Sequence, residues 1–302
     1  MRYYSLNQYC RDTFGEKLYK LSLDGGMTCP NRDGSLSTLG CLYCSDGGSG
    51  DFAADRSLAI TSQLAQAKER VSGKCKCEHF IAYFQAFTNT YAPVDHLRRI
   101  FYEAIKDPSV AVLSIGTRTD CFSAEIYDLL DELNQIKPVW IELGLQTIHQ
   151  QTLDAMNTHT KVCDFTSVAD ELNARGIKVI AHLILGLPGE TRDMMLQSVD
   201  FVAHSSIFGV KLQLLHVLKN TPLASSFAAN PFRLFSLEEY CDFVVDCIER
   251  LPSDMVIHRM TGDGPRSLLI APMWSTDKKR VLNTINQNFN RRDTYQGKLY
   301  LP

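Results

Sequence analysis

The sequence has no long hydrophobic run, since no stretch of about 18 consecutive apolar residues occurs in it. Its opening segment, MRYYSLNQYCRDTF, also contains no apolar stretch of the kind found in secretory signal peptides. These absences predict a protein without a membrane span, located in the cytoplasm, where thiols stay reduced. Ten cysteines in such a protein favour metal binding or catalysis over disulfides.

The sequence also has no large excess of one charge, because its 31 Lys and Arg residues nearly balance its 34 Asp and Glu residues. The net charge of −3 therefore gives no indication of a nucleic-acid partner for the chain as a whole, although it can hide local patches. The sequence contains no internal repeat and no low-complexity stretch. With 302 residues, 45% of them hydrophobic, the chain is long enough to fold around a substantial core.

Short apolar runs alternate with amphipathic segments along most of the chain. The runs predict strands at 18–23, 79–84, 111–116, 139–144, 178–185 and 210–214, and the segments between them predict helices at 62–71, 94–106, 124–135, 168–175 and 192–205. This alternation is typical of βαβ units and predicts an α/β fold, an incomplete (βα)6 parallel barrel.

The pattern changes after residue 220, so we expect residues 1–220 to form the barrel and residues 221–302 a C-terminal α/β extension. Within the extension, a helix at 237–251 and a strand at 255–260 are predicted, and the strand is a candidate edge strand of the sheet. The loop TGDGPRSLLIAPMW and a polar tail complete the chain.

Three cysteines, Cys29, Cys41 and Cys44, lie in a loop directly after the first predicted strand. A closed structural zinc site takes four protein ligands, whereas three thiolates on a 4Fe-4S cluster leave one iron open for another ligand. The alternative is a zinc knuckle with Cys10 or a histidine as the fourth ligand. Cys75 and Cys77, in GKCKCE, are expected to be exposed loop thiols.

Polar or glycine-rich segments follow the predicted strands at their C-terminal ends, where parallel α/β barrels build active sites. They are Gly47-Gly48-Ser49-Gly50-Asp51 after the cysteines, GTRTDCF at 116–122, WIELGLQT at 140–147, HLILGLPGET at 182–191 and VKLQLLHVLKNTPL at 210–223. We therefore expect one active site at this end of the barrel.

The cysteine motif, ELGLQT and GLPGE, in this order, resemble the radical S-adenosylmethionine (SAM) superfamily, in the branch of the Elongator catalytic subunit and the YhcC/YtqA-type proteins. The resemblance runs from about residue 18 to residue 223, and for the YhcC/YtqA type it also includes the later segment TGDGPRSLLIAPMW at 261–274. It implies a barrel of radical SAM type with two cofactors, a 4Fe-4S cluster and SAM. It also implies cleavage of SAM to a 5'-deoxyadenosyl radical, which abstracts hydrogen from a C–H bond, and an electron donor such as flavodoxin or ferredoxin.

The resemblance assigns roles to particular residues. Cys29, Cys41 and Cys44 would ligate three irons, and the open iron would take the amino and carboxylate groups of SAM. The cofactor-binding residues would be Gly47 and Gly48 at the SAM amino group, Gln146 near its ribose or carboxylate, and Gly186 and Leu187 by its adenine.

The chain departs from the family pattern in two places. Eleven residues separate Cys29 from Cys41, whereas the commonest spacing in the superfamily is C-x3-C-x2-C. Many relatives also carry Arg in an N-R-G-H segment, but Asn157 or Thr158 stands at that position here. That arginine contact to SAM is therefore not carried over.

Other polar residues at the strand ends are candidate catalytic residues. Arg118 and Asp120 could contact substrate or SAM, or form a buried ion pair that closes the barrel. His216 and Lys219 are expected at the pocket, Asp263 is either a substrate contact or a turn residue, and His182 either points into the barrel or is a core histidine.

The segment 277–302 contains six basic residues, Lys278, Lys279, Arg280, Arg291, Arg292 and Lys298, against Asp277 and Asp293, with Tyr295 and Tyr300 among them. It is either an RNA-binding patch or a solvated tail. The first hypothesis for function is modification of the C5 side chain of wobble uridine in tRNA, specifically carboxymethylaminomethyluridine to aminomethyluridine. The alternatives are a radical SAM enzyme for a small metabolite and a zinc-binding RNA adaptor without catalysis.

Overall fold

A parallel sheet of seven strands, curled into a half-barrel, forms the centre of the molecule. The computed structural model describes residues 2–73, 77–262 and 264–302, so Cys75 and Asp263 lie outside the described residues. In sheet order the strands are β1 (Tyr19–Leu23), β2 (Phe80–Phe84), β3 (Val110–Thr117), β4 (Val139–Gln146), β5 (Lys178–Leu185), β6 (Gly209–Leu214) and β8 (Val256–Arg259). A second, antiparallel sheet pairs β7 (Val217–Leu218) with β9 (Leu269–Ala271).

Helices connect the strands, because parallel neighbours need a crossover between them. The helices are α1 (Leu6–Phe14), α2 (Ile60–Ser72), α3 (Val94–Ile105), α4 (Ala124–Asn134), α5 (Gln150–Ala155), α6 (Val162–Ala174), α7 (Arg192–Ala203), α8 (Pro222–Ala229), α9 (Leu237–Glu249) and α10 (Lys278–Arg291), with a short 3-10 helix at Met273–Thr276. The Thr191 side chain caps α7, and a capping box between Ser236 and Glu239 begins α9. Among the described residues, no helix has the length and apolarity needed to cross a bilayer.

The two faces of the sheet have different environments, because successive side chains of a strand point to opposite faces. Apolar residues of one face, such as Leu113 and Leu143, belong to the large core that also contains residues of α2, α3 and α4. Near the N-terminal ends of the strands, the inner face carries a smaller core in which Trp140 packs with Tyr9 and Cys10 of α1. Helix α1 thus closes this end of the half-barrel, and the C-terminal ends of the strands remain for the site.

The parallel α/β prediction is confirmed, and all six predicted strands lie within two residues of those in the structure. The predicted edge strand is β8, which pairs in parallel with β6 as the seventh strand of the sheet. The boundary at residue 220 stays a prediction. Helices α1, α5 and α8 and the β7–β9 pair were not predicted, and Cys77 is half-buried rather than exposed.

The predicted polar tail is wrong for residues 278–291, which form α10. Val281, Ile285 and Phe289 recur every four residues on one face of α10 and are buried in the large core. Three of the basic residues also lie against acidic side chains of α9, the first of them Arg280, which is 3.8 Å from Glu238. Arg292 contacts Asp242, Asp246 and Glu249, and Arg291 lies 3.4 Å from Asp242. These arginines are therefore engaged in packing α10 on α9.

Candidate active site

The three cysteines line one cleft at the C-terminal ends of the strands. Tight turns shape their loop, in which the Arg32 amide donates to the Cys29 carbonyl at 2.8 Å and the Cys44 amide to the Cys41 carbonyl at 3.0 Å. A hydrogen bond from the Cys44 thiol lowers the pKa of Cys41 to about 6, helped by the positive charge of Arg118. Cys41 is therefore readily available as the thiolate that a metal requires.

The donor set fits a 4Fe-4S cluster better than a single zinc ion. The proposed fourth ligand Cys10 is fully buried in the core at the opposite end of the strands, beside α1. In the part of the chain that the structure describes, no group of three or more His, Cys, Asp or Glu side chains is arranged around a single metal ion. Three thiols in one cleft can instead each bind a different iron of a cluster.

Arg118 and Asp120 form an ion pair beside the cysteines. Arg118 donates to both carboxylate oxygens of Asp120, at 2.8 and 2.6 Å, and to the Thr158 carbonyl at 2.9 Å. Arg118 lines the cleft, whereas Asp120 is not among the residues that line it. The structure therefore brings Arg118 to the site with Asp120 as its partner, and a catalytic role for either stays a prediction.

Two of the predicted SAM contacts, Gly48 and Gln146, line the cleft. Gly48 has φ +54°, and a Cβ there would lie 2.4 Å from the Phe87 ring, so no side chain fits. Gln146 also has a positive φ, and its buried Oε1 has no hydrogen-bond partner among the described residues. An acceptor left without a donor in this position is suited to a ligand that carries N–H or O–H groups.

The other three predicted SAM contacts are not among the residues that line the cleft. Gly47 approaches Asp51, Gly186 approaches the Phe235 ring, and Leu187 is buried in a small apolar cluster. Their roles stay predictions, and any contribution to SAM binding would need backbone atoms or a small movement of the wall.

His216 lines the cleft, and the glycines of the following loop pack on its ring. A Cβ at Gly262 or Gly264 would lie 2.4 or 2.6 Å from that ring. Burial lowers the pKa of His216 to about 4, together with the charges of Arg259 and Lys278. Lys219 is exposed instead, and its Nζ donates to the Ser267 carbonyl at 2.9 Å outside the cleft lining.

Polar side chains form a layer on the inner face, contributed strand by strand, and only His182 among them was predicted to point into the barrel. We call it the polar layer, and it consists of Lys20 on β1, Tyr83 on β2, Ser114 on β3, Glu142 on β4, His182 on β5 and Lys211 on β6. Tyr83, Glu142, His182 and Lys211 line the cleft that also contains the cysteines. The available signal was a charged residue inside the apolar strand segments WIELGL and VKLQLL, because buried strands rarely carry unpaired charge.

Glu142 lies at the centre of the polar layer, and its side chain is fully buried. Burial opposes its ionisation, but the charges of Lys20 and Lys211 outweigh burial and lower the Glu142 pKa well below its usual range. His182 lies against the Oε2 atom of Glu142. Burial and the charge of Lys211 lower the pKa of His182 to about 4. At neutral pH the layer therefore contains an ionised carboxylate beside a neutral imidazole.

Two family models match the chain, the Radical SAM superfamily over residues 36–202 and the Radical_SAM C-terminal domain over residues 207–291. Bacillus subtilis YtqA is 43% identical, and the match covers 99% of this chain and 93% of that protein. Escherichia coli YhcC is 35% identical, over 96% of this chain and 93% of that protein. The resemblance stated from the motifs is thereby confirmed.

Two archaeal proteins of Methanocaldococcus extend the comparison. The tRNA uridine(34) acetyltransferase of M. jannaschii is 25% identical over 52% of this chain and 29% of that protein. The structure of M. infernus Elp3 superposes with a TM-score of 0.70 at 14% identity, over 92% of this chain and 64% of that one, and so shares the fold. Because one family model covers more than half of the chain and YtqA aligns with nearly all of it, the chain belongs to the radical SAM superfamily and has that family's cofactors, a 4Fe-4S cluster and SAM.

Proposed function

We propose that this radical SAM enzyme modifies the C5 side chain of the wobble uridine in tRNA, converting carboxymethylaminomethyluridine to aminomethyluridine. The similarity to a tRNA uridine(34) acetyltransferase supports a uridine at that tRNA position as the substrate. Only the substrate is carried over from that protein, because the match covers 29% of its length.

The observation that carries the proposal is the position of exposed basic residues at the rim of the cleft. Gly264 and Pro265 line the cleft, the next residue, Arg266, is exposed, and Lys219 lies against the neighbouring Ser267. Cations at a cleft mouth can bind phosphates of a single-stranded loop while one base enters the cleft. We therefore expect RNA to contact this rim, with Lys219 and Arg266, and not the C-terminal segment 277–302.

When bound, the cluster and SAM supply a 5'-deoxyadenosyl radical that takes a hydrogen atom from the substrate. The electron comes from an external reductant, for which we propose a flavodoxin or a ferredoxin. Removal of the two-carbon unit also needs an electron acceptor and water. We propose that the substrate radical passes one electron to the oxidised form of this carrier, and that water hydrolyses the resulting imine once it leaves the cleft, giving the aminomethyl group and glyoxylate. The contribution of this chain is to bind the uridine side chain next to the cysteines and to exclude water. The buried floor of the cleft, with the Glu142 and Lys211 side chains 0% and 3% exposed, is suited to both tasks.

Anaerobic reconstitution tests the proposal. The protein is incubated with SAM, a reductant and tRNA isolated from a strain in which the gene has been deleted, and the tRNA nucleosides are measured by mass spectrometry. We expect loss of carboxymethylaminomethyluridine and gain of aminomethyluridine, with formation of 5'-deoxyadenosine. Substitution Cys41→Ala should abolish both, while the matched control Cys163→Ala, at an exposed cysteine, should leave both unchanged.

A different result would replace the proposal. If SAM is cleaved but no wobble nucleoside changes, tRNA is not the substrate, and a small metabolite becomes the leading candidate. A colourless reconstituted protein that contains zinc and cleaves no SAM would favour the adaptor without catalysis.

A further inference from the structure

The acceptor capacity of Glu142 is fully used within the polar layer. Its Oε1 accepts from Lys20 Nζ at 2.5 Å and from Ser114 Oγ at 2.9 Å. Its Oε2 accepts from His182 Nε2 at 2.9 Å and from Lys211 Nζ. A carboxylate offers about four lone-pair positions, so Glu142 has no remaining position for a donor on a ligand.

The two lysines, in contrast, have donors to spare. An ammonium group carries about three N–H donors. Among the described residues, Lys211 donates to Glu142 and to Tyr83 Oη, at 3.1 Å for the latter. Lys20 donates to Glu142 alone and lies 4.4 Å from the centre of the Tyr83 ring. The remaining hydrogen-bonding capacity of the two ammonium groups is therefore that of a donor.

The net charge of the polar layer favours the same kind of ligand as its spare donors do. Two ammonium groups face one carboxylate, and His182 is neutral at pH 7 because its pKa is lowered to about 4. Burial lowers the pKa of Lys211 well below its usual range, although contact with Glu142 opposes that effect. A second anion beside Lys211 would stabilise its charged form further. Both spare donors and net charge thus favour an anionic hydrogen-bond acceptor.

The layer can be reached from the end of the cleft that contains the cysteines. One step further along the inner face, β3 and β4 carry Gly116 and Gly144, and both line the cleft. This step of two residues corresponds to about 7 Å. The Gln146 amide lies over Gly144, where a Cβ would be 2.7 Å from its Nε2, but at Gly116 the nearest atoms to such a Cβ are 3.4 Å or more away. A narrow substituent can therefore extend past Gly116 to Lys211, whose side chain is only 3% exposed.

From this geometry we propose that the polar layer is a carboxylate-binding subsite, in which Lys211, supported by Lys20, receives the carboxylate of the substrate's side chain. The inference rests on the proposed function and deepens it. The carboxymethylamino group of the proposed substrate ends in a carboxylate, and the aminomethyl product has none. The subsite therefore distinguishes the substrate from the product and orients the carbon next to the carboxylate.

Binding measurements on the reconstituted holoenzyme test the subsite. The probes are anticodon stem-loops that carry carboxymethylaminomethyluridine, aminomethyluridine or uridine at the wobble position. We expect the wild-type enzyme to bind the carboxylate form at least about tenfold more tightly than the aminomethyl form, as one charge-assisted hydrogen bond supplies. Substitution Lys211→Met should remove this preference and leave the affinity for the unmodified stem-loop unchanged.

Controls separate the subsite from other causes. Lys106→Met, at an exposed lysine after α3, should keep the full preference. SAM has a carboxylate of its own, so the affinity for SAM is measured in each variant. If Lys211→Met weakens SAM binding instead of the preference among stem-loops, the layer binds the cofactor and the proposal is wrong. If Lys211→Met does not fold, the charge-balanced variant Glu142→Gln/Lys211→Met is used, with the same expected loss of preference.

The outcomes distinguish this inference from the proposed function. Equal affinities of the wild-type enzyme for the three stem-loops would overturn the subsite while leaving tRNA as the substrate. If no stem-loop binds, the same affinities are measured with the free nucleosides. Preference for carboxymethylaminomethyluridine over aminomethyluridine, lost in Lys211→Met, would then support the subsite without tRNA, and equal or absent binding would overturn it.

Discussion

The side-chain amide of Asn31 donates to the backbone carbonyl of Asn157 at 2.6 Å, and the side-chain amide of Asn157 donates back to the Gly40 carbonyl at 2.8 Å. A third bond, from the Leu42 amide to the Met156 carbonyl, lies beside them. Together they attach the cysteine loop to the segment that follows α5. Asn157 adopts φ +54°, a conformation in which Asn is better tolerated than most residues.

Substitution Asn157→Gly should weaken cluster retention, because it removes the bond to Gly40 while keeping a residue that accepts the positive φ. The loss of about 1 kcal/mol corresponds to roughly fivefold faster release of iron to a chelator. Iron and sulfide per chain measure this after anaerobic reconstitution. Asn220→Gly is the matched control, since Asn220 also has a positive φ and is exposed. Wild-type release from Asn157→Gly would contradict the role of this attachment.

Substitution Glu142→Gln should destabilise the protein by about 3–5 kcal/mol, because it leaves two ammonium groups without their buried counterion. Urea unfolding measures the change. Glu132→Gln provides the control, since Glu132 is 44% exposed and pairs with Arg98 at the surface, where an ion pair contributes little. The double variant Glu142→Gln/Lys211→Met should recover part of the loss. A cost below about 1 kcal/mol for Glu142→Gln would show that the polar layer is hydrated and weakly coupled.

Stability should fall as the pH drops from 7 to 5. The pKa of His182 in the folded protein is lowered to about 4, whereas the unfolded chain titrates near its ordinary value of about 6.5. Between these values the unfolded state binds a proton that the folded state does not, so acid favours unfolding. The loss by pH 5 is about 2 kcal/mol for this histidine.

His216 should also reduce the stability of the folded protein as the pH drops, since its pKa is likewise lowered to about 4. Urea unfolding at a series of pH values tests both residues. The variant His182→Gln, which keeps a donor for Glu142, should show a smaller loss of stability between pH 7 and 5 than the wild type. An identical loss in the variant would mean that His182 titrates normally in the folded protein.

The affinity for tRNA should depend on the rim of the cleft and not on α10. Substitutions Lys219→Gln and Arg266→Gln should each lower the slope of log affinity against log salt concentration by about one, because each removes one phosphate contact. Arg291→Gln is the matched control, since Arg291 is 70% exposed and lies against Asp242 on α9. A larger change of this slope in Arg291→Gln than in Arg266→Gln would indicate that RNA contacts the C-terminal segment instead of the rim.

The sequence by itself determined where the strands lie and which residues could ligate a cluster. The apolar runs were short, alternated with amphipathic segments and ended in glycine-rich or polar turns, so local periodicity was sufficient. The spacing of Cys29, Cys41 and Cys44 was likewise a local property, and three thiols in one loop need little tertiary information to be recognised. Helix α10 could also have been predicted from the sequence, since Val281, Ile285 and Phe289 repeat every four residues in the polar segment.

Only the tertiary structure decided which polar residues meet. Glu142 and Lys211 are 69 residues apart, and Lys20 and Glu142 are 122 apart, so no local pattern relates them. Their contact depends on strand order, register and the curvature of the sheet. The same holds for Asn31 and Asn157, which are 126 residues apart. Periodicity predicts that a strand is buried, but the partner of a buried charge is fixed by the neighbouring strands, and these are chosen by the packing of the whole chain.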